Sequence, residues 1–163
     1  MTTESNSAES GPPSGGERRD FERSFDALES VFAFVQPLLA AHGVDASESY
    51  AIEMTIEEFF TNMVKYNASG TGRLGVELHC GADAVTCRLT DPDSERWDPT
   101  AAPDANLDLP VAQRRPGGLG IHLVRRLVDS IEYEYVGRCS RITFRKTLNG
   151  ALGSPAAGGS DEH

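Results

Sequence analysis

The segment IEEFFTNMVKYN, residues 56–67, repeats apolar residues every three or four positions, which is typical of the buried face of a helix. A carboxylate and an amide one turn apart share another face of such a helix. Taken alone, this second face favours an ordinary solvated surface over a binding site. Its polar residues with possible chemistry are Glu58, Thr61, Asn62 and Lys65.

The helix that contains this segment is predicted to begin after Asp45 and to run to about Tyr66. Asp45 can accept a hydrogen bond from a free amide of the first turn, and Glu48 follows at the spacing of a capping box. The glycines of ASGTG, residues 68–72, are expected to end the helix.

An earlier helix is predicted over residues 27–42, where apolar residues again follow the helical period and Gly43 ends the pattern. Pro37 lies inside this helix, which leaves a kink or an early end near Gln36 open. The segment FERSF, residues 21–25, predicts a short edge strand before it.

Strands are predicted in two pairs. RLGVELHC and AVTCRLTD, residues 73–80 and 84–91, alternate with period two around a short turn and predict an antiparallel hairpin. IEYEY and SRITFRKTL, residues 131–135 and 140–148, predict two further strands. This order of elements predicts an α+β fold, a two-layer α/β sandwich in which helices cover one face of a mainly antiparallel sheet.

A long loop and a glycine-rich stretch separate the two pairs of strands. Residues 92–116 contain many prolines and aspartates with little periodicity, and such a loop is usually a lid or disordered. GGLG, residues 117–120, then opens a helix predicted over residues 119–130. Free amides at a helix start, with no side chains in the way, suit the approach of phosphate groups. A hinge or a tight helix entry is the alternative, because the stretch matches neither the P-loop nor the Rossmann pattern.

Composition limits the class of protein. A chain of 163 residues suits one domain, and a net charge of −10 disfavours a nucleic-acid-binding role. Residues 1–18 and 149–163 have the composition of disordered tails, which leaves a domain over residues 19–148. The absence of a signal-peptide pattern and of a membrane-spanning run predicts a cytoplasmic protein.

The cysteines and histidines predict no metal site. Cys80, Cys87 and Cys139 lack the close pairing of a zinc site, and the four histidines are scattered. Free, reduced thiols are expected, with a disulfide between Cys80 and Cys87 as the lesser alternative.

Three motifs together carry a family resemblance. EEFFTNMVKYN, TDPD and GGLGIHLVRRLVD, in this order and at these separations, resemble the small serine/threonine-kinase anti-sigma factors of the GHKL superfamily, which have a histidine-kinase-like ATPase domain. The resemblance covers residues 20–148. It implies a sandwich of helices over an antiparallel sheet, with ATP and Mg²⁺ as cofactors and a flexible lid over the nucleotide.

The resemblance also implies roles for individual residues. Glu58 resembles the general base, Asn62 the magnesium ligand, and Asp91 the carboxylate that accepts a hydrogen bond from the adenine amino group. Gly118 and Gly120 resemble the glycines beside the phosphates. The complete set expected to bind the cofactor is Asn62, Lys65, Asp91, Asp93, Arg115, Gly117, Gly118, Leu119 and Gly120.

Asp93 departs from the family pattern, which usually has a glycine two residues after the adenine-binding aspartate. Its side chain and charge either weaken adenine binding or make Asp93, rather than Asp91, the contact to the base.

Other residues near the expected lid have proposed roles. Trp97 is interpreted as the aromatic residue that anchors the start of the lid. Arg115 is expected either to neutralise phosphate charge or simply to aid solubility. Arg125, one to two turns into the glycine-led helix, is expected to face a partner or an acidic neighbour.

The implied function is an ATP-dependent protein serine/threonine kinase with two exclusive partners. One partner is a sigma factor that the kinase holds inactive, and the other is an anti-anti-sigma (STAS-type) protein that it phosphorylates. A homodimer is possible, whereas direct contact with nucleic acid or a membrane is not expected. The alternative is a nucleotide-binding interaction module with little or no kinase activity.

Overall fold

The computed structural model describes residues 15–101 and 118–149. Arg115, Gly117, most of the expected lid and most of both expected tails lie outside the described residues. Within the described ranges, no helix is long and apolar enough to cross a membrane.

Five antiparallel strands form one sheet in the order β1-β2-β3-β5-β4. Their apolar residues alternate with polar ones, and one face of the sheet is buried under helices while the other carries side chains such as Arg88, Arg141 and Thr143. The strands are β1 (Glu17–Phe21), β2 (Leu74–Cys80), β3 (Ala84–Asp91), β4 (Ser130–Val136) and β5 (Cys139–Thr147).

Three helices lie in the described part of the chain: α1 (Leu28–Ala41), α2 (Ala46–Tyr66) and α3 (Gly118–Leu127). Their apolar faces and the covered face of the sheet form one core, in which Ile56, Phe59 and Phe144 are fully buried. The predicted two-layer α+β fold and its antiparallel hairpin are therefore confirmed.

The predicted strand over residues 21–25 is wrong. β1 lies earlier, where it pairs with β2 from Glu17 opposite Leu78 to Phe21 opposite Leu74. Phe25 instead begins a 3₁₀ turn, Phe25–Ala27. Pairing with β2 decides the position of β1, so its first residues belong to the fold rather than to a tail.

The structure confirms the predicted N-terminal cap of α2 but shows neither its capping box nor an early end of α1. Asp45 Oδ1 accepts a hydrogen bond from the backbone N–H of Glu48 at 2.8 Å, which confirms the predicted cap of α2. The Glu48 carboxylate does not close a capping box, because it accepts a hydrogen bond from the backbone N–H of Asn149. α1 continues through Pro37 to Ala41, so the early end left open at Gln36 does not occur.

Candidate functional site

A cavity of about 420 Å³ opens between the C-terminal half of α2, the end of β3 and the strands β4 and β5. Its wall combines an apolar floor with polar groups from four elements, which is a common composition for a ligand pocket. Among the residues that line it are Asn62, Asp91, Ser94, Trp97, Tyr133 and Ser140. Asn62 and Asp91 belong to the set predicted from the sequence.

Glu58 and Asn62 form a hydrogen-bonded pair along α2. Asn62 Nδ2 donates to Glu58 Oε1 at 2.9 Å, as expected for residues one helical turn apart. Asn62 is buried, with 5% of its surface exposed, and lines the cavity. Burial also raises the pKa of the half-buried Glu58 carboxyl, although the hydrogen bond from Asn62 opposes that shift.

The start of α3 packs against the Glu58 side chain. A Cβ atom on Gly120 would collide with the Glu58 carboxylate, so the glycine permits this close approach. Together with Gly120, Glu58 lines a separate cleft of about 150 Å³ between α2 and α3, not the larger cavity. Because α3 begins at Gly118, the positive end of its dipole lies near this carboxylate.

Asp91 ends β3 and is fully buried, with 1% of its surface exposed. Arg23 forms two hydrogen bonds to its carboxylate, at 2.7 and 2.8 Å, and Asn67 Nδ2 donates a third at 3.1 Å. Arg23 lies in the segment between β1 and α1. Its role was not predicted, because a single arginine in a polar segment gives no signal for a partner 68 residues away.

Asp93 points away from the cavity. Its carboxylate accepts hydrogen bonds from the backbone N–H and the hydroxyl of Thr71 and from Arg138 Nε, at 2.8 to 2.9 Å. The Thr71 amide, followed by Arg138, lowers the pKa of Asp93 to about 2. Asp93 is not among the cavity-lining residues, so the geometry gives no support to the alternative in which it contacts the base.

Lys65 also lies apart from the cavity wall. It is exposed, and its Nζ lies 5.4 Å from the centre of the Tyr66 ring. Of the glycine-rich stretch, the structure describes the start of α3 at Gly118 and Leu119 and the contact of Gly120 with Glu58. The role of these residues in holding phosphates stays a prediction.

Trp97 covers one side of the cavity. Its ring packs against that of Tyr66 at 5.7 Å, and its backbone N–H donates to the Tyr133 hydroxyl at 3.1 Å. The chain then enters a 3₁₀ turn, Pro99–Ala101, at the start of the expected lid. This contact is compatible with the predicted anchoring role.

Arg125 has a role that sequence analysis did not predict. Its guanidinium donates to the backbone carbonyls of Pro99 at 2.9 Å and Thr100 at 3.1 Å. It therefore joins α3 to the segment after β3 on the same molecule, rather than facing only a partner or an acidic neighbour.

Three hydroxyl groups that the sequence did not single out line the same cavity. Ser94 and Ser140 are hydrogen-bonded to each other at 2.6 Å, and the Tyr133 hydroxyl lies 3.0 Å from Ser140 Oγ. Ser94 follows β3, whereas Tyr133 and Ser140 belong to β4 and β5. They meet only because β5 pairs with both β3 and β4.

Two solved structures match this chain at low sequence identity. The chain is similar to the RsbU and RsbW domains of Rv1364c from Mycobacterium tuberculosis, with 19% identity and a TM-score of 0.58 over 83% of this chain and 33% of that one. A second match is the Acinetobacter baumannii histidine kinase AdeS, with 15% identity and a TM-score of 0.47 over 82% of this chain and 68% of that one. This chain thus spans about a third of the first structure.

Among curated proteins, no sequence matches this chain significantly. A family model described as the histidine kinase-like ATPase domain matches residues 21–146, which is most of the chain and includes β2, β3, β4, all but the last residue of β5 and all three described helices. The protein therefore belongs to the histidine kinase-like ATPase domain family and has its fold, an antiparallel sheet covered on one face by helices.

Proposed function

We propose that this protein is an ATP-dependent serine/threonine protein kinase that acts as an anti-sigma regulatory factor. Membership of the family implies ATP binding. The observation that carries the proposal is the Glu58–Asn62 pair, which lies between the 420 Å³ cavity and the start of α3. A nucleotide with its base in the cavity would extend its phosphates toward this pair.

Glu58 has the properties of a general base for a protein hydroxyl. Its raised pKa makes the ionised carboxylate a stronger proton acceptor than an exposed glutamate, and the hydrogen bond from Asn62 holds its orientation. In the proposed reaction, a Glu58 oxygen would accept the proton of the serine hydroxyl while the serine oxygen bonds to the γ-phosphorus of ATP; the bond from that phosphorus to the β–γ bridging oxygen would break, and ADP would leave.

The described residues fit a magnesium ion. Asn62 uses its Nδ2 to bind Glu58, so its Oδ1 is the atom left to ligate a cation from the cavity wall. Mg²⁺ prefers oxygen ligands and commonly takes most of them from phosphate and water. Bound there, it would neutralise phosphate charge during transfer.

The partner assignment rests on the family resemblance and on the RsbW domain named in the Mycobacterium tuberculosis structure. The proposed partners are a sigma factor, which the protein sequesters, and an anti-anti-sigma protein of the STAS type, which it phosphorylates. Phosphorylation adds about two negative charges to the partner. Because this chain carries a net charge of −10, the modified partner would be repelled and released.

A nucleotide-binding interaction module without kinase activity is the second candidate. One observation favours it: the Asp91 carboxylate, expected to contact adenine, is paired with Arg23 instead. In such a module, nucleotide binding would only alter the segment after β3.

The experiment that separates the two candidates combines binding and transfer. Calorimetric titration with Mg-ATP measures binding, and incubation with labelled ATP and STAS-type proteins from the same genome measures phosphotransfer. Glu58→Gln should keep ATP binding and reduce transfer ~10²–10⁴-fold, because the base acts in the reaction.

Glu53→Gln, one turn and a half earlier on α2, is the matched control and should leave both measurements unchanged. Binding by the wild-type protein without transfer to any STAS-type protein would favour the interaction module. Equal loss of binding and transfer in Glu58→Gln would contradict the assigned base.

A further inference from the structure

The cleft of about 150 Å³ between α2 and α3 meets the larger cavity at the Glu58–Asn62 pair. Glu58 lines the cleft, whereas Asn62, its hydrogen-bond partner, lines the cavity. A base at Glu58 needs the nucleotide phosphates and the acceptor hydroxyl within reach at the same time. Since the nucleotide is proposed to occupy the cavity, the cleft offers the acceptor hydroxyl a place beside Glu58.

One part of the cleft wall is apolar and open to solvent. Leu123 of α3 has 45% of its surface exposed, and half-buried Met54 of α2 lines the same cleft. A single exposed leucine is ordinary on a protein surface. An exposed leucine beside an adaptable methionine, in the cleft that also holds Glu58, is instead suited to contact an apolar side chain of a partner.

The polar side chains of the cleft accept hydrogen bonds and have none to donate. Glu57 and Glu58 are carboxylates, and Thr61 Oγ1 already donates to their backbone carbonyls at 2.7 and 3.1 Å. Among the described residues that line the cleft, no side chain is therefore a free donor. Such a lining suits a serine hydroxyl, which has a hydrogen to donate, and disfavours a phosphate, which needs donors and is charged.

Repulsion of a phosphorylated segment has to come from charges close to it. Salt screens charges that lie more than about 8 Å apart at physiological ionic strength, so most of the net charge of −10 acts weakly on a group in the cleft. Glu57 lines the cleft and lies near Glu58, because burial and then the charge of Glu57 raise the pKa of the Glu58 carboxyl. Glu57 is thus a local negative charge that the proposed phosphotransfer does not use.

Resting on the proposed phosphotransfer, we propose that the cleft between α2 and α3 receives the segment of the STAS-type partner that carries the acceptor serine, and that Glu57 repels this segment once it is phosphorylated. An apolar residue next to the serine packs against Leu123 and Met54, while the serine hydroxyl reaches Glu58. After transfer, the phosphoserine oxygens face the Glu57 carboxylate and no side-chain donor. The cleft therefore binds the substrate and rejects the product.

Calorimetry on the two forms of the partner tests the role of Glu57. The probe is the STAS-type protein that the wild type phosphorylates, titrated before and after phosphorylation in the presence of Mg-ADP. The wild type should bind the phosphorylated form at least about tenfold more weakly. Glu57→Gln should tighten binding of that form about tenfold and change binding of the unphosphorylated form much less.

Glu53→Gln is the matched control for this measurement. Glu53 lies one turn before Glu57 on α2, and it is not among the described residues that line the cleft. Both variants remove one negative charge from the chain, so repulsion by the net charge would change the two affinity ratios alike. Under the proposal, Glu53→Gln keeps the ratio of the wild type.

Steady-state kinetics with the same partner tests the apolar contact. Leu123→Ala should raise KM for the partner roughly fivefold and keep kcat, because the contact is made equally before and during transfer. Val136→Ala is the control, since Val136 is 75% exposed at the end of β4 and is not among the described lining residues of the cleft. It should leave both constants unchanged.

The outcomes separate this inference from the proposed function. Phosphotransfer with equal binding of the two partner forms, or with the same affinity ratio in Glu57→Gln as in the wild type or in Glu53→Gln, would overturn the inference alone. An unchanged KM in Leu123→Ala would do the same, because the acceptor segment would then dock elsewhere. A wild-type protein that transfers phosphate to no STAS-type protein would overturn the proposed kinase function and this inference with it.

Discussion

The two carboxylates predicted to work together lie in different surroundings at the two ends of the site. Glu58 is half-buried, accepts a hydrogen bond from a neutral amide and lies against the start of α3. Asp91 is fully buried and bound by a guanidinium. A carboxylate with a raised pKa suits proton transfer, whereas one buried against a guanidinium is held in place by its partner.

The largest expected effect comes from removing the cation of the buried pair. Arg23→Ala leaves the Asp91 charge buried without compensation and should lower the free energy of unfolding by ~3–5 kcal/mol. Arg73→Ala is the matched control, because Arg73 forms an exposed ion pair with Glu22 and should cost ~0–1 kcal/mol. Urea denaturation of both variants measures the difference. Similar losses in the two variants would contradict a structural role for the buried pair.

The second largest effect on stability is expected where the start of α3 contacts Glu58. Gly120→Ala places a methyl group against the Glu58 carboxylate and should lower the free energy of unfolding by ~1–3 kcal/mol. Alanine in an open helix would instead stabilise by up to ~1 kcal/mol. Adding Glu58→Ala should relieve the collision, and thermal denaturation of the single and double variants tests this. A Gly120→Ala protein more stable than the wild type would contradict the close contact.

A smaller effect follows from the raised pKa of Glu58. The folded state takes up this proton more readily than the unfolded state, so its contribution to stability is present at low pH. The contribution is lost as pH rises from the ordinary value of 4.5 through the raised pKa. The melting temperature of the wild type should therefore fall relative to that of Glu58→Gln across this window. If the two melting temperatures differed by the same amount at every pH, burial would not raise the pKa of Glu58.

Asp93 should give the smallest effect on stability. Its dependence on pH should be opposite to that of Glu58, because the pKa of Asp93 is lowered and not raised. Its pKa is lowered from 3.8 to about 2, so its bonds to Thr71 and Arg138 stabilise the fold above pH 3.8 and are lost as pH falls toward 2. Asp93→Asn should therefore be less stable than the wild type at neutral pH, and the two should converge in acid. Melting curves between pH 2 and 6 measure this convergence, and parallel curves would contradict it.

Local patterns in the sequence were enough to predict most of the secondary structure. Asp45 caps α2, and Glu58 and Asn62 meet, because hydrogen bonds within a helix join residues three or four positions apart. The period of two in residues 73–91 likewise predicted the hairpin, whose strands are neighbours along the chain. β1 was misplaced because nothing local sets its register against β2.

The polar contacts of the cavity depend on long-range pairing. Arg23 meets Asp91 across 68 positions, and Ser94 meets Ser140 across 46. Neither pair has a spacing that a sequence pattern could reveal, so Asp91 was assigned a role without its partner and the serines were missed.

By itself, the sequence determined the helices, the main strands and the apolar face that each presents, because those depend on residues close along the chain. Only the tertiary structure decided which carboxylate is paired, which hydroxyls line the cavity and which way Asp93 points. Those features depend on the register of β3 against β5 and on the packing of α3 against α2, which bring together side chains far apart in sequence.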